Sequence, residues 1–181
     1  RFVAADLMAD AEHGPDGAVV LITTSEILAK EVLIEIEKNV TRFATRENIK
    51  SSIENFGLFA IVNSLDEAID FANDYAPEHI QIMTKDSLQV AEKITNAGSV
   101  FVGSYTCKSA GDYATGANHV LPTGGSAKMF SGLSVFDFVR LAEYQSCDIT
   151  GLKKIKNTIE TFADVENLPA HRYSCAVRFS E

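Results

Sequence analysis

Histidines occur in this chain at an ordinary frequency, so their spacing rather than their number narrows what they can do. The 181 residues include four histidines, His13, His79, His119 and His171, and each has a carboxylate near it in sequence, Glu12, Glu78, Asp112 and Glu166 respectively. None is spaced as a local metal motif of the HExxH kind, so a zinc site drawn from them would have to be assembled from distant segments. The run Ala76-Pro77-Glu78-His79 is the most informative. Pro77 lacks a backbone donor and closes a helix just before a strand opens, which sets Glu78 and His79 at a sharp helix-to-strand corner. An adjacent Glu and His, with ordinary pKa values near ~4.3 and ~6.5, suit a reaction that needs two different bases. A solvated turn is the alternative.

A second group lies between Gly103 and Gly132, a stretch rich in Gly, Ser, Thr, Asn and Pro. Such a stretch is too long for an ordinary connection and is more often functional than idle. Within it, Gly111-Asp112-Tyr113 and Asn118-His119 sit among glycines that let the backbone approach a ligand closely. Asp112 and His119 are open to two readings: metal or substrate ligands, or an Asx-turn residue and a surface histidine. Neither GxGxxG after a strand nor a P-loop occurs, so no nucleotide phosphate cradle is indicated here.

The elements that must position these residues follow from periodicity. Ala18–Thr23 is a short apolar, β-branched run that reads as a buried strand. Ser25 then opens an amphipathic helix running to about Lys38. Strand Leu58–Val62, helix Ser64–Tyr75 with Ser64 as N-cap and Glu67 completing a capping box, strand Ile80–Met83, helix Ser87–Ala97 and strand Ser99–Val102 follow in order. This alternation predicts an α/β fold, an incomplete Rossmann-like domain with one mainly parallel sheet. Leu133–Tyr144 reads as helix or mixed structure, Gly151–Ala163 as helix, and Pro169–Phe179 as a short helix or tail. The expected division is an α/β part over residues 1–130 and a small, mostly helical unit over 131–181. The opening Arg1 and the helical run Ala4–Met8 suggest a chain that begins inside a larger protein.

Charge excludes several partners. Sixteen basic against 25 acidic residues give a net charge of −9, which repels nucleic acid phosphates and anionic lipid surfaces. No apolar run approaches a membrane span, and the reading is a soluble, cytoplasmic protein. Three widely spaced cysteines indicate free thiols rather than a disulfide framework or a zinc knuckle.

Taken together, the blocks Ala11-Glu12-His13-Gly14-Pro15-Asp16, Ala76-Pro77-Glu78-His79 and Gly111-Asp112-Tyr113-Ala114 resemble the histidinol dehydrogenase family. So do Asn118-His119-Val120-Leu121-Pro122-Thr123, Ser131-Gly132-Leu133-Ser134-Val135 and Glu166-Asn167-Leu168-Pro169-Ala170-His171. Six blocks in the family's order, taking in every histidine, make the match specific. The resemblance covers nearly the whole chain, as the C-terminal half of a longer family chain.

This resemblance implies an NAD-dependent, zinc-dependent oxidation of L-histidinol through L-histidinal to L-histidine, the last step of histidine biosynthesis. It implies zinc held by His13, Asp112 and His171, with Asp10 at a position where the family normally has Gln. Asp is a sound zinc ligand through oxygen, but it makes the site more negative by one charge. Glu78 and His79 would be the catalytic pair, and His119 and Glu166 would contact substrate alongside the zinc-binding and catalytic histidines. NAD contacts would lie chiefly in the N-terminal half of the family chain, so this segment alone would be inactive. A homodimer with a shared active site would place Glu166 and His171 across the interface. Two other readings stand beside this one: a family relative oxidising another small alcohol, such as a sulfonated diol, and a non-catalytic fragment or interaction module that only pairs with the missing half or itself.

Overall fold

The computed structural model describes residues 1–180. Helix α1 (Phe2–Ala11) precedes strand β1 (Val20–Thr23), and helices α2 (Glu26–Val40) and α3 (Arg46–Phe56) follow. Then come β2 (Leu58–Ile61), α4 (Leu65–Tyr75), β3 (His79–Ile82), α5 (Ser87–Ala91), β4 (Ser99–Val102) and α6 (Lys108–Tyr113). After short 3₁₀ turns at Ser126–Lys128 and Val135–Phe138, the chain ends in α7 (Ile149–Val165), α8 (Pro169–Ala176) and a last 3₁₀ turn. It divides into two compact units, Arg1–Phe138 and Val139–Glu181. In the second, α7 packs on α8 and Asp148 caps α7 by accepting from the Gly151 N–H at 2.7 Å.

The α/β reading holds, and among the described residues every strand pairing is parallel: β1 with β2 and β3 with β4. The strands form two two-stranded sheets, however, rather than the single sheet expected. Between the β1 and β3 segments lies a largely apolar gap of about 500 Å³, lined by Leu21, Ile22, Ile69, Ile80, Ile82 and Phe101 among others. Consecutive residues of both strands, Val20 to Thr23 and His79 to Ile82, line this gap, and no ladder crosses it among the described residues.

Burial explains most elements. Ala4, Met8 and Ala11 form one face of α1 and pack with Val19, Leu21, Val32, Ile36 and Ile49 in the main core. A second cluster joins Ile69, Ile82 and Val90 under β3. Each buried Val, Leu, Ile or Met side chain among these contributes about 1.5–3 kcal/mol. Ser25 caps α2 by accepting from the Leu28 N–H at 3.2 Å. The Ser64 cap of α4 is equally clear, accepting from Glu67 N–H at 3.1 Å, but the Glu67 carboxylate reaches one residue further back, to Asn63 N–H at 2.8 Å.

Helices α3 and α6 were not legible in the sequence. α3 is mostly polar and buries only Ile49 and Ser52, whose hydroxyl donates to the Gly17 carbonyl at 2.6 Å. α6 carries a glycine in mid-helix, a costly choice for an isolated helix, and is held by long-range contacts instead. The expected helix over 87–97 is shorter, ending at Ala91, and the 133–144 segment holds only the 3₁₀ turn. Among the described residues no helix is long and apolar enough to cross a membrane.

Candidate active site

The Glu78–His79 corner forms as its sequence suggests. α4 stops at Tyr75, and Ala76 takes the left-handed conformation at φ 52° while being 0% exposed. The carbonyls of Pro77 and Glu78 accept from Gly98 N–H at 2.9 Å and Ser99 N–H at 2.8 Å, tying the corner to the start of β4. A Cβ at Gly98 would fall 2.6 Å from the Glu78 carbonyl oxygen, so only glycine lets these segments meet so closely. His79 opens β3, and its ring packs tilted against Phe101 with centroids 5.8 Å apart.

Three carboxylates surround this largely buried ring, whose side chain is 12% exposed. Its Nδ1 lies 3.8 Å from Asp10 Oδ1 and 3.8 Å from Glu78 Oε1, and its Nε2 lies 4.0 Å from Asp112 Oδ1. These separations are electrostatic contacts rather than hydrogen bonds. Asp10 comes from the end of α1 and Asp112 from α6, which Gly111 allows to press against Phe101. Asp112 is therefore a helical residue facing the site and not the Asx-turn residue that sequence left open.

The residue that sequence reasoning missed is Lys108. Its side chain is 6% exposed, and its ammonium lies 3.0 Å from Asp112 Oδ2, 3.3 Å from Asp10 Oδ1 and 3.4 Å from His13 Nε2. The Lys108 N–H donates to Asp6 Oδ1 at 3.2 Å, which anchors the residue at its backbone as well. Burial works against the charged ammonium, yet the Asp112 and Asp10 carboxylates outweigh it and hold the Lys108 pKa above its usual value. Burial likewise pushes the Asp112 pKa up, and the Lys108 hydrogen bond and charge overcome this to bring it below normal. The only signal in the sequence was the i, i+4 placement of Lys108 and Asp112, too common to single out.

This arrangement bears on the zinc ion that the family resemblance implies. Among the described residues no group of three or more His, Cys, Asp or Glu side chains converges closely enough to hold a metal. Asp10, His13 and Asp112 do converge, but on an ammonium that already fills the space between them. As arranged, these residues fit a monovalent lysine cation and not a divalent ion.

Asp10, His13, Glu78 and His79, with Gly124 and Gly125, line an open cleft of about 580 Å³. His119 is exposed in the loop that follows Asp112. Glu166 and His171 belong to the second unit and are both exposed. The close contacts gathered around His79 are thus made by Asp10, Glu78, Phe101 and Asp112, all within the first unit.

Comparison with known proteins places these features in context. The family described as histidinol dehydrogenase matches residues 1–179. The histidinol dehydrogenase of Lactococcus lactis subsp. lactis is 45% identical over 181 residues, 100% of this chain and 42% of that protein. That of Bacteroides thetaiotaomicron is 47% identical over 179 residues, 99% of this chain and 42% of the relative. A crystal structure of histidinol dehydrogenase from Elizabethkingia anophelis superposes with a TM-score of 0.94 at 38% identity, covering 98% of this chain and 41% of the other. The chain therefore spans about two fifths of the length of the relatives it matches.

Proposed function

Because this chain belongs to the histidinol dehydrogenase family, we propose that it supplies the proton-transfer groups of a histidinol dehydrogenase, the oxidoreductase that converts L-histidinol through L-histidinal to L-histidine in histidine biosynthesis. The observation that carries this reading is the Glu78–His79 corner, with a mostly buried imidazole facing three carboxylates at 3.8 to 4.0 Å. His79 takes the hydroxyl proton of the substrate as hydride leaves. The positive charge it acquires meets Asp10, Glu78 and Asp112. Glu78, at 38% exposure, is the more accessible of the pair. It takes a proton from water, which adds to the aldehyde, and the hydrate then gives up the second hydride.

Two molecules of NAD accept the two hydrides in this scheme, one at each oxidation. No glycine-rich phosphate loop follows a strand in this chain, so the NAD contacts belong to the rest of the polypeptide, and the segment by itself is inactive. Lys108 occupies the convergence of Asp10, His13 and Asp112, and the proton transfers at Glu78 and His79 need no metal there. His119, Glu166 and His171 contact the substrate, the last two from a second copy of the chain. The apolar gap between β1 and β3 is where the remaining part of the polypeptide packs.

A sulfonated diol as substrate is disfavoured by charge. Asp10 and Glu78 line the cleft, and with Asp112 beside the His79 ring they outnumber the Lys108 ammonium; this excess of negative charge attracts a cationic amino alcohol and repels a sulfonate. The test is L-histidinol-dependent NADH formation by the complete natural polypeptide, with a sulfonated diol in parallel. Turnover of histidinol alone is the expected result; turnover of the diol alone would reassign the substrate, and no turnover of either would favour the non-catalytic fragment.

A further inference from the structure

Lys108 sits where the family resemblance implies a metal, and it is held there as a cation is held. An ammonium has three N–H donors, and three acceptors surround this one: Asp112 Oδ2 at 3.0 Å, Asp10 Oδ1 at 3.3 Å and His13 Nε2 at 3.4 Å. For His13 Nε2 to accept, its proton must reside on Nδ1, so the ammonium also selects a tautomer, the service a metal performs for a ligating histidine. The side chain is 6% exposed, and the backbone is anchored to Asp6 Oδ1 at 3.2 Å. A buried lysine persists only where its charge is paired and its donors are satisfied, and both conditions are met here. A divalent ion bound to the same atoms at about 2.0–2.2 Å would lie in the volume that Nζ now fills, and the two positive charges would repel strongly.

We propose that Lys108 is the resident cation of this site, neutralising Asp10 and Asp112 and orienting His13 in place of a zinc ion, so that the chain holds no tightly bound divalent metal. This takes its site residues from the proposed function but is tested independently of it. The Asp10 side chain fits the same account. A carboxylate there gains an ion pair with Lys108 that a neutral amide could not make, so the acid and the lysine act as a matched pair.

The experiment measures metal rather than activity. The complete natural polypeptide is purified, exchanged through zinc and then through a metal-free buffer, and analysed for zinc, alongside Lys108→Met and Lys108→Arg variants of the same polypeptide. The expected result is zinc far below stoichiometry in the parent and in Lys108→Arg, and about one zinc per chain in Lys108→Met, where three donors are freed. Stoichiometric zinc retained by the parent overturns the proposal, and that arm does not depend on either variant folding. A second readout is reductive methylation of lysines: protection of Lys108 in the zinc-exchanged parent supports the proposal, and its ready modification there refutes it. NADH formation in the same samples is scored separately, so a metal-free but active parent upholds both readings and a metal-free, inactive one sinks only the enzymatic assignment.

Discussion

Gly111 lies so close to Phe101 that a Cβ built on it would fall 2.5 Å from the ring Cζ. The contact fixes how near α6 approaches β4, and with it the 4.0 Å separation between Asp112 and the His79 ring that Phe101 supports. Gly111→Ala is therefore expected to force Phe101 aside, costing about 1–3 kcal/mol of stability. Turnover of the complete enzyme should fall on the order of 10-fold or more as Asp112 withdraws. Chemical denaturation and steady-state kinetics check the two effects, and unchanged values for both would mean that α6 placement does not matter.

Ala76 adopts φ 52° while fully buried, immediately before the Pro77-Glu78-His79 corner. A β-branched side chain is poorly tolerated in that conformation, and no solvent-facing space receives it. Ala76→Val should destabilise the protein by about 2 kcal/mol or more. Ala76→Gly, which relaxes the backbone but frees the unfolded chain, should stay within about 1 kcal/mol of the parent. Equal melting temperatures for the Val variant and the parent would contradict the reading of the corner as sterically tight.

The division of labour between Glu78 and His79 separates two variants of the complete enzyme. His79→Ala should lower turnover of histidinol by a factor on the order of 100 or more, as loss of a general base does. Glu78→Gln should spare the first oxidation more than the second and so release aldehyde, which a carbonyl-trapping reagent would detect. Absence of aldehyde together with an equal loss in both steps would remove Glu78 from the hydration step.

Burial raises the Asp6 pKa from its usual 3.8, and the hydrogen bond from Lys108 N–H only partly offsets this. A folded-state pKa above the unfolded one means that protonated Asp6 favours the fold. That contribution is complete below pH 3.8 and is lost as pH rises through the raised folded value. At neutral pH the ionised carboxylate is thus a cost. Asp6→Asn keeps the oxygen that accepts from Lys108 and removes the charge, so its melting temperature should equal or exceed that of the parent near neutrality, with the gain vanishing in acid. A melting temperature clearly below the parent's at neutral pH would show that the ionised form is the favoured one.

Much of the fold could be read from local pattern. Ser25 and Ser64 announce their helices because a cap is chemistry within three or four residues, and Val20–Thr23, Leu58–Ile61 and Ser99–Val102 announce strands because apolar, β-branched runs have few other uses. The corner at Pro77 was legible for the same reason. Helix α3 was not, since its helicity depends on Ile49 and Ser52 meeting residues far away in the chain. Helix α6 hid in a Gly- and Ser-rich stretch, held by Asp6 from α1 and by Phe101 from β4.

The sequence by itself determined the order of the four strands and of the serine-capped helices between them, the family, and the Glu78–His79 pair at a helix-to-strand corner, because each is written in neighbouring residues. Only the tertiary structure decided that the strands form two separate parallel pairs and that Lys108 lies buried among Asp10, His13 and Asp112. Those outcomes depend on how α1, β3 and α6 pack together, and the burial that makes a lysine's charge matter exists only once distant segments have excluded water from around it.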